Sequence, residues 1–153
     1  MTDTKSNSKT GLAAALNGAL ADHLALYLKT KNFHWHVAGP RFRDLHLLFD
    51  EQAKQIVALV DVIAERVRKN DEMTLTSIGS VGQHTRIEDQ DDVTLAPDVM
   101  VAELRDDNRK LRDRLIEVKE ASESANDNAT SGLVDEWIDE CEERIWFLAQ
   151  TAK

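Results

Sequence analysis

Apolar residues recur at intervals of three and four along most of the chain, the period of helices that bury one face. From Gly11 onward Leu12, Leu16, Leu20, Leu24 and Tyr27 keep that spacing, which predicts a first helix running to about His36, where Gly39-Pro40 stops it. The clearest stripe comes next: Leu45, Phe49, Ala53, Ile56, Val60, Ile63 and Val67 predict a second helix from about Phe42 to Lys69. Pro97, tolerated in a first helical turn, opens a third that carries Met100, Leu104, Leu111, Leu115 and Val118 to about Ser122. After a polar turn from Ser124 to Ser131, Leu133, Trp137, Ile138, Cys141, Ile145 and Leu148 mark a fourth. Between the second and third helices, Asn70 to Leu95 holds Gly79, Gly82 and the acidic run Glu88 to Asp92. It is too long for a tight helix connection, so it is expected to cross over, with a short helix at Ser77 to His84.

Composition agrees with an all-α fold. The 153 residues are 42% hydrophobic, enough for one core, and only 6 Gly and 2 Pro stand against 28 acidic and 19 basic residues. Residues 1–10 are polar, without apolar periodicity, and are expected to form a flexible tail; residues 11–153 form the domain. The net charge of −9 weighs against nucleic-acid binding over the whole surface and favours divalent cations as partners. A single cysteine, Cys141, excludes an intramolecular disulfide and any multi-cysteine zinc or iron–sulfur site, and fits a reducing, cytoplasmic setting. The apolar stretch Gly11 to Leu28 is interrupted by Asn17, Asp22 and His23, so it reads as neither a signal peptide nor a membrane span.

The chemistry concentrates around the second helix. His34 and His36 end the first helix, and His46, Asp50, Asp61 and Glu65 lie along the second. His46 with Asp50, and Asp61 with Glu65, are i,i+4 pairs, each projecting from one face as two ligands of one metal would. A lone pair of this kind is usually solvated surface, but these two are in phase. Asp61 lies only about 20° round the helix from Asp50 yet about 16 Å further along it, so one ion cannot join them. The stripe is also turned by roughly a third of a turn from the core stripe, away from the subunit's own interior. If two copies of this helix pack antiparallel across a two-fold axis, His46 against Glu65 of the second copy and Asp50 against Asp61 require the same midpoint, between Gln55 and Ile56. One symmetric contact then makes two identical sites, with small Val57 and Ala58 near its centre. Imidazole and carboxylate without thiolate suit iron(II), manganese or zinc. A Glu-x-x-His site within one subunit is excluded, because no glutamate has a histidine three residues on.

The run His34-Trp35-His36-Val37-Ala38-Gly39-Pro40, followed by His46, Asp50, Asp61 and Glu65, resembles the ferroxidase signature of the Dps miniferritins, the DNA-binding proteins from starved cells. The closing segment Glu143 to Leu148 is similar to that family's fourth-helix ending, so the resemblance spans nearly the whole chain. It implies a ferritin-like four-helix bundle with a long middle crossover, and a hollow dodecamer built from two-fold dimers. It further implies a ferroxidase that oxidises iron(II) to iron(III), preferentially with hydrogen peroxide, stores the mineral and protects DNA and cell from oxidative damage. By resemblance, His34, His46 and Asp50 of one subunit, with Asp61 and Glu65 of its partner, bind the iron; zinc or manganese fits the same ligands. His36 departs from the family, many of whose members have Asn there; it either adds a metal contact or is simply exposed, and exposure is its plainer reading.

Other residues carry weaker readings. Trp35 either packs at a helix end or, as the resemblance implies, takes up oxidising equivalents from the site. Trp137 and Trp146 suit core or interface, Cys141 a buried filler, and His23 and His84 hydrogen-bonded or exposed positions. Glu123, Asp127 and Asp135 either line a pore that draws cations inward or are solvated surface. The tail holds only Lys5 and Lys9, so DNA binding is weakly supported; a DNA-compacting protein with incidental metal binding is the alternative, and a zinc-binding helical assembly without turnover a third.

Overall fold

In the computed structural model, which describes residues 4–153, the chain folds into α1 (Thr4–His36), α2 (Phe42–Lys69), α3 (Ile78–His84), α4 (Pro97–Ser124) and α5 (Asn128–Thr151). The four long helices are a ferritin-like bundle. α1 packs along α2 and α4 along α5, and α1 meets α4 between the two hairpins; the crossover lays α3 against α1. The expected stripes form the core: Leu12, Leu16 and Leu20 from α1, Leu45, Phe49, Ala53, Ile56, Ile63 and Val67 from α2, and Leu104, Leu111, Leu115, Trp137, Cys141 and Leu148 from the second hairpin are buried. Each large aliphatic or aromatic side chain buried there contributes roughly 1.5–3 kcal/mol. No helix among the described residues is long and apolar enough to cross a membrane.

Two boundaries differ from the sequence reading. The first helix begins at Thr4 rather than near Gly11, because a helix already formed propagates through polar residues at little cost; the first three residues of the expected tail lie outside the described residues. The fourth long helix begins at Asn128 rather than after Ser131. Asp127 caps it by accepting the Thr130 backbone N–H at 3.0 Å, and Asn126, at φ 56°, turns the chain out of α4 just before. Ser77 and Ser80 form the capping box that starts α3.

The interior also holds polar groups that are paired across elements. Asp22 on α1 is fully buried; its Oδ2 accepts from Arg114 Nε at 2.8 Å, and its Oδ1 from Thr85 Oγ1 at 2.8 Å and the Arg86 backbone N–H at 2.7 Å. Gly18 leaves room for that guanidinium: a Cβ there would lie 2.8 Å from Arg114 Cζ. On the other hairpin, Arg144 Nε donates to Asn108 Oδ1 at 2.9 Å, and the Cys141 thiol donates to the Asn108 carbonyl at 3.1 Å.

His23, also fully buried, donates from Nδ1 to the Ala19 carbonyl at 2.6 Å, and its Nε2 meets no partner among the described residues. Burial pushes its pKa down to about 4, with Arg144 adding to the shift while the Ala19 carbonyl and Asp22 oppose it. The unfolded chain therefore binds a proton near pH 6.5 that the folded chain takes up only near 4. Stability from this group is whole above about pH 6.5 and falls by about 3 kcal/mol as the pH drops to 4. Urea midpoints measured from pH 7 to 4 should show this loss in the native chain, and His23→Gln should flatten it; an equally steep decline in the variant would contradict the assignment.

Candidate metal centre

The site is built at the α1–α2 turn. Gly39, at φ 112°, takes a backbone conformation that side chains disfavour and reverses the chain, with the Phe42 N–H closing onto its carbonyl at 3.0 Å. The reversal brings the end of α1 beside the first turns of α2. His34 Nδ1 donates to the His46 carbonyl at 2.6 Å and His46 Nδ1 to the His34 carbonyl at 2.8 Å, while the two rings stack at 3.8 Å and Phe42 stacks on the outer face of His46. A carbonyl can only accept, so each ring carries a proton on Nδ1, which leaves Nε2 as the nitrogen a metal can take. That is the tautomer and the carbonyl anchoring of a metal-binding imidazole.

Asp50, one turn after His46, lies within the same corner. Its Oδ1 is 3.9 Å from His34 Nε2 and accepts from Lys31 at 2.7 Å, and its Oδ2 pairs with Lys54 at 2.8 Å. The hydrogen bonds from Lys31 and Lys54 hold its carboxyl well below the usual carboxylate range, against the opposing effect of burial. His34, His46 and Asp50 are thus brought together, half-buried. Asp61 and Glu65 are not: they stand exposed further along α2, on the stripe shared with exposed Val57 and Ala58. Among the described residues no three His, Cys, Asp or Glu side chains of the chain converge to hold an ion as they stand. Trp35 is exposed beside His34, and His36 is turned away from the corner, its Nδ1 shared between the Asn32 carbonyl and side-chain oxygen at 2.9 and 2.7 Å.

Sequence reasoning missed the two lysines. Lys54 stands four residues after Asp50 and was legible as a helical ion pair; Lys31 reaches Asp50 only because the turn folds α1 onto α2. Asp127 is engaged within its own chain rather than free on a solvated surface. Its carboxylate caps α5 and binds Arg66 Nη2 at 2.9 and 3.0 Å and Asn70 Nδ2 at 2.9 Å. Burial alone would raise its pKa, but the bonds from Thr130, Asn70 and Arg66 outweigh it and hold the group well below the ordinary range. The signal was present in the sequence, an Asp placed just before a helix-starting Asn-Ala-Thr. Asp135 and Glu123 are exposed, and both face Lys119, at 2.9 and 3.6 Å.

The sequence model of the ferritin-like domain matches residues 13–153. The chain belongs to the ferritin-like family. Its relatives place this ferritin-like chain with the Dps proteins. It is 28% identical to the DNA protection during starvation protein of Brevibacillus brevis, over 90% of this chain and 91% of that one. It is 32% identical to an uncharacterized low temperature-induced protein of Nostoc sp., over 92% of this chain and 79% of that protein. Among solved structures, the Dps protein of Vibrio cholerae, described as a member of a superfamily of ferritin-like diiron-carboxylate proteins, superposes with a TM-score of 0.91 at 26% identity, covering 99% of this chain and 93% of that one. In this ferritin-like bundle the histidine–carboxylate corner lies at one end of the α1–α2 hairpin, outside the apolar core.

Proposed function

We propose that this Dps-type chain is a ferroxidase that oxidises iron(II) with hydrogen peroxide and stores the iron(III) product, at a site completed across a two-fold subunit contact. The observation that carries the reading is the mutual anchoring of His34 and His46, which fixes both imidazoles in the metal-binding tautomer with Asp50 beside them. Asp61 and Glu65 of a second copy, brought in by the antiparallel α2 contact, supply the carboxylates that one chain cannot. Iron(II), the substrate, meets two neutral nitrogens and up to three carboxylates, an open shell of mixed donors that favours iron(III) as charge builds on the ion. Each iron(II) gives up one electron; a peroxide takes two, and with two protons its O–O bond breaks to give two waters. Zinc or manganese would occupy the same donors without that turnover.

Twelve copies around a hollow interior, the assembly expected from the resemblance, would give the oxidised iron a compartment. DNA protection, the role in the relatives' names, follows here from removing iron(II) and peroxide, because the net charge of −9 opposes direct phosphate contact.

Single variants His34→Ala and Asp61→Ala are each expected to lose rapid iron(II) oxidation while keeping fold and assembly. Refolding the two variants together should restore about a quarter of the wild-type rate, since half the dimers are mixed and one of their two sites is whole. Wild-type rates in either single variant would overturn the site. Recovery confined to unmixed wild type would overturn its intersubunit construction.

A further inference from the structure

The Asp50 carboxylate is the point where the site meets its own chain's cations. Lys31 stands one turn before His34 on the same face of α1, and its ammonium lies 2.7 Å from Asp50 Oδ1; its side chain is only 20% exposed. Lys54 holds the other oxygen from the solvent side, with a side chain 73% exposed. His34 Nε2 stands 3.9 Å from the same Oδ1 that Lys31 holds. Metal bonds of about 2.0–2.2 Å bridge a nitrogen and an oxygen that far apart. An ion shared by His34 and Asp50 therefore binds the oxygen that already carries an ammonium, and two cations a few ångström apart in a half-buried corner repel strongly.

We propose that Lys31 is a built-in competitor for the metal: it neutralises and positions Asp50 while the site is empty of substrate, and it must leave Asp50 Oδ1 when a divalent cation binds. Two consequences follow from its placement. The corner keeps an ionised carboxylate half-buried beside the two imidazoles, because the ammonium supplies the positive charge that offsets it. The affinity for any divalent cation is set by the difference between its own bonds and the ion pair it displaces, so Lys31 weakens binding and favours rapid passage of the ion over retention. Lys54 pairs directly with the other oxygen but from an exposed position, where charge is screened, and counts for less. Lys31 is thus a positioning residue, acting through Asp50.

This rests on the reading of His34, His46 and Asp50 as ligands, so the test separates the two. Zinc(II), which is redox-silent, is titrated calorimetrically into the assembled wild-type protein and into Lys31→Met, Lys31→Gln, Lys54→Met and His34→Ala, with circular dichroism as the control for folding. Lys31→Met and Lys31→Gln are expected to bind zinc about tenfold more tightly than wild type, as removal of one close like charge predicts. Lys54→Met should change affinity by less than about threefold. His34→Ala should abolish the binding. If His34→Ala abolishes it but both Lys31 variants bind zinc no more tightly than wild type, the competitor role is overturned and the site stands. If His34→Ala leaves zinc binding unchanged, the ligand reading falls and the role of Lys31 with it.

Discussion

Ala58→Glu is expected to abolish the α2 dimer contact and iron(II) oxidation together. Ala58 is exposed in the single chain, less than one turn from the midpoint that the His46, Asp50, Asp61 and Glu65 register requires. In a two-fold contact the substitution enters twice, burying two carboxylates beside the axis, and the nearest cation, Lys54 four residues before, is already paired with Asp50. An uncompensated buried charge costs about 3–5 kcal/mol, so the association constant should drop by at least about a hundredfold. Folding of the subunit should be untouched, because the core face of α2 is carried by Phe49, Ile56 and Ile63 on the other side of the helix. Sedimentation velocity and stopped-flow iron oxidation on the same sample check both halves. A folded monomer that still oxidises iron at the wild-type rate would mean the ligands converge within one subunit.

Asp22→Ala is expected to produce the largest loss of stability of any single polar truncation in the bundle. The carboxylate is fully buried and joins α1 to Arg114 on α4 and to the Thr85 hydroxyl and Arg86 backbone N–H that follow α3. Truncation leaves the Arg114 guanidinium with the His84 carbonyl, 2.9 Å from Nη2, but without its ion-pair partner in a site where it is largely buried. Removing one partner of such a pair costs about 3–5 kcal/mol, a large part of the stability of a domain this size. Chemical denaturation of the wild type, Asp22→Ala, Arg114→Met and the double variant forms the check. The double variant should be more stable than Asp22→Ala alone, since it removes the orphaned charge as well as the pair. A loss below about 1 kcal/mol in Asp22→Ala would show that water satisfies Arg114.

What could be read from the chain alone was what repeats or acts locally. The α2 stripe from Leu45 to Val67 keeps one period over six turns, so its helix, its limits at Phe42 and Lys69 and its buried face all follow from spacing. The phase of Asp50, Asp61 and Glu65 on that helix is local for the same reason, and with it the conclusion that they face outward and cannot share an ion within one chain. Capping at Ser77 and Asp127 is equally local. Pairings between distant positions were decided by the tertiary structure. Lys31 meets Asp50 only after Gly39 reverses the chain, and Asp22 meets Arg114 only when the two hairpins close on each other. Spacing alone puts His23, Asn108 and Arg144 on the apolar stripes of their helices and leaves Asp22 off its own, but it names no partner for any of them, and a charged or polar residue is buried only where a partner makes burial tolerable. Periodicity is a property of one helix and is written in its sequence; the satisfaction of a buried charge belongs to two helices at once and exists only when they pack.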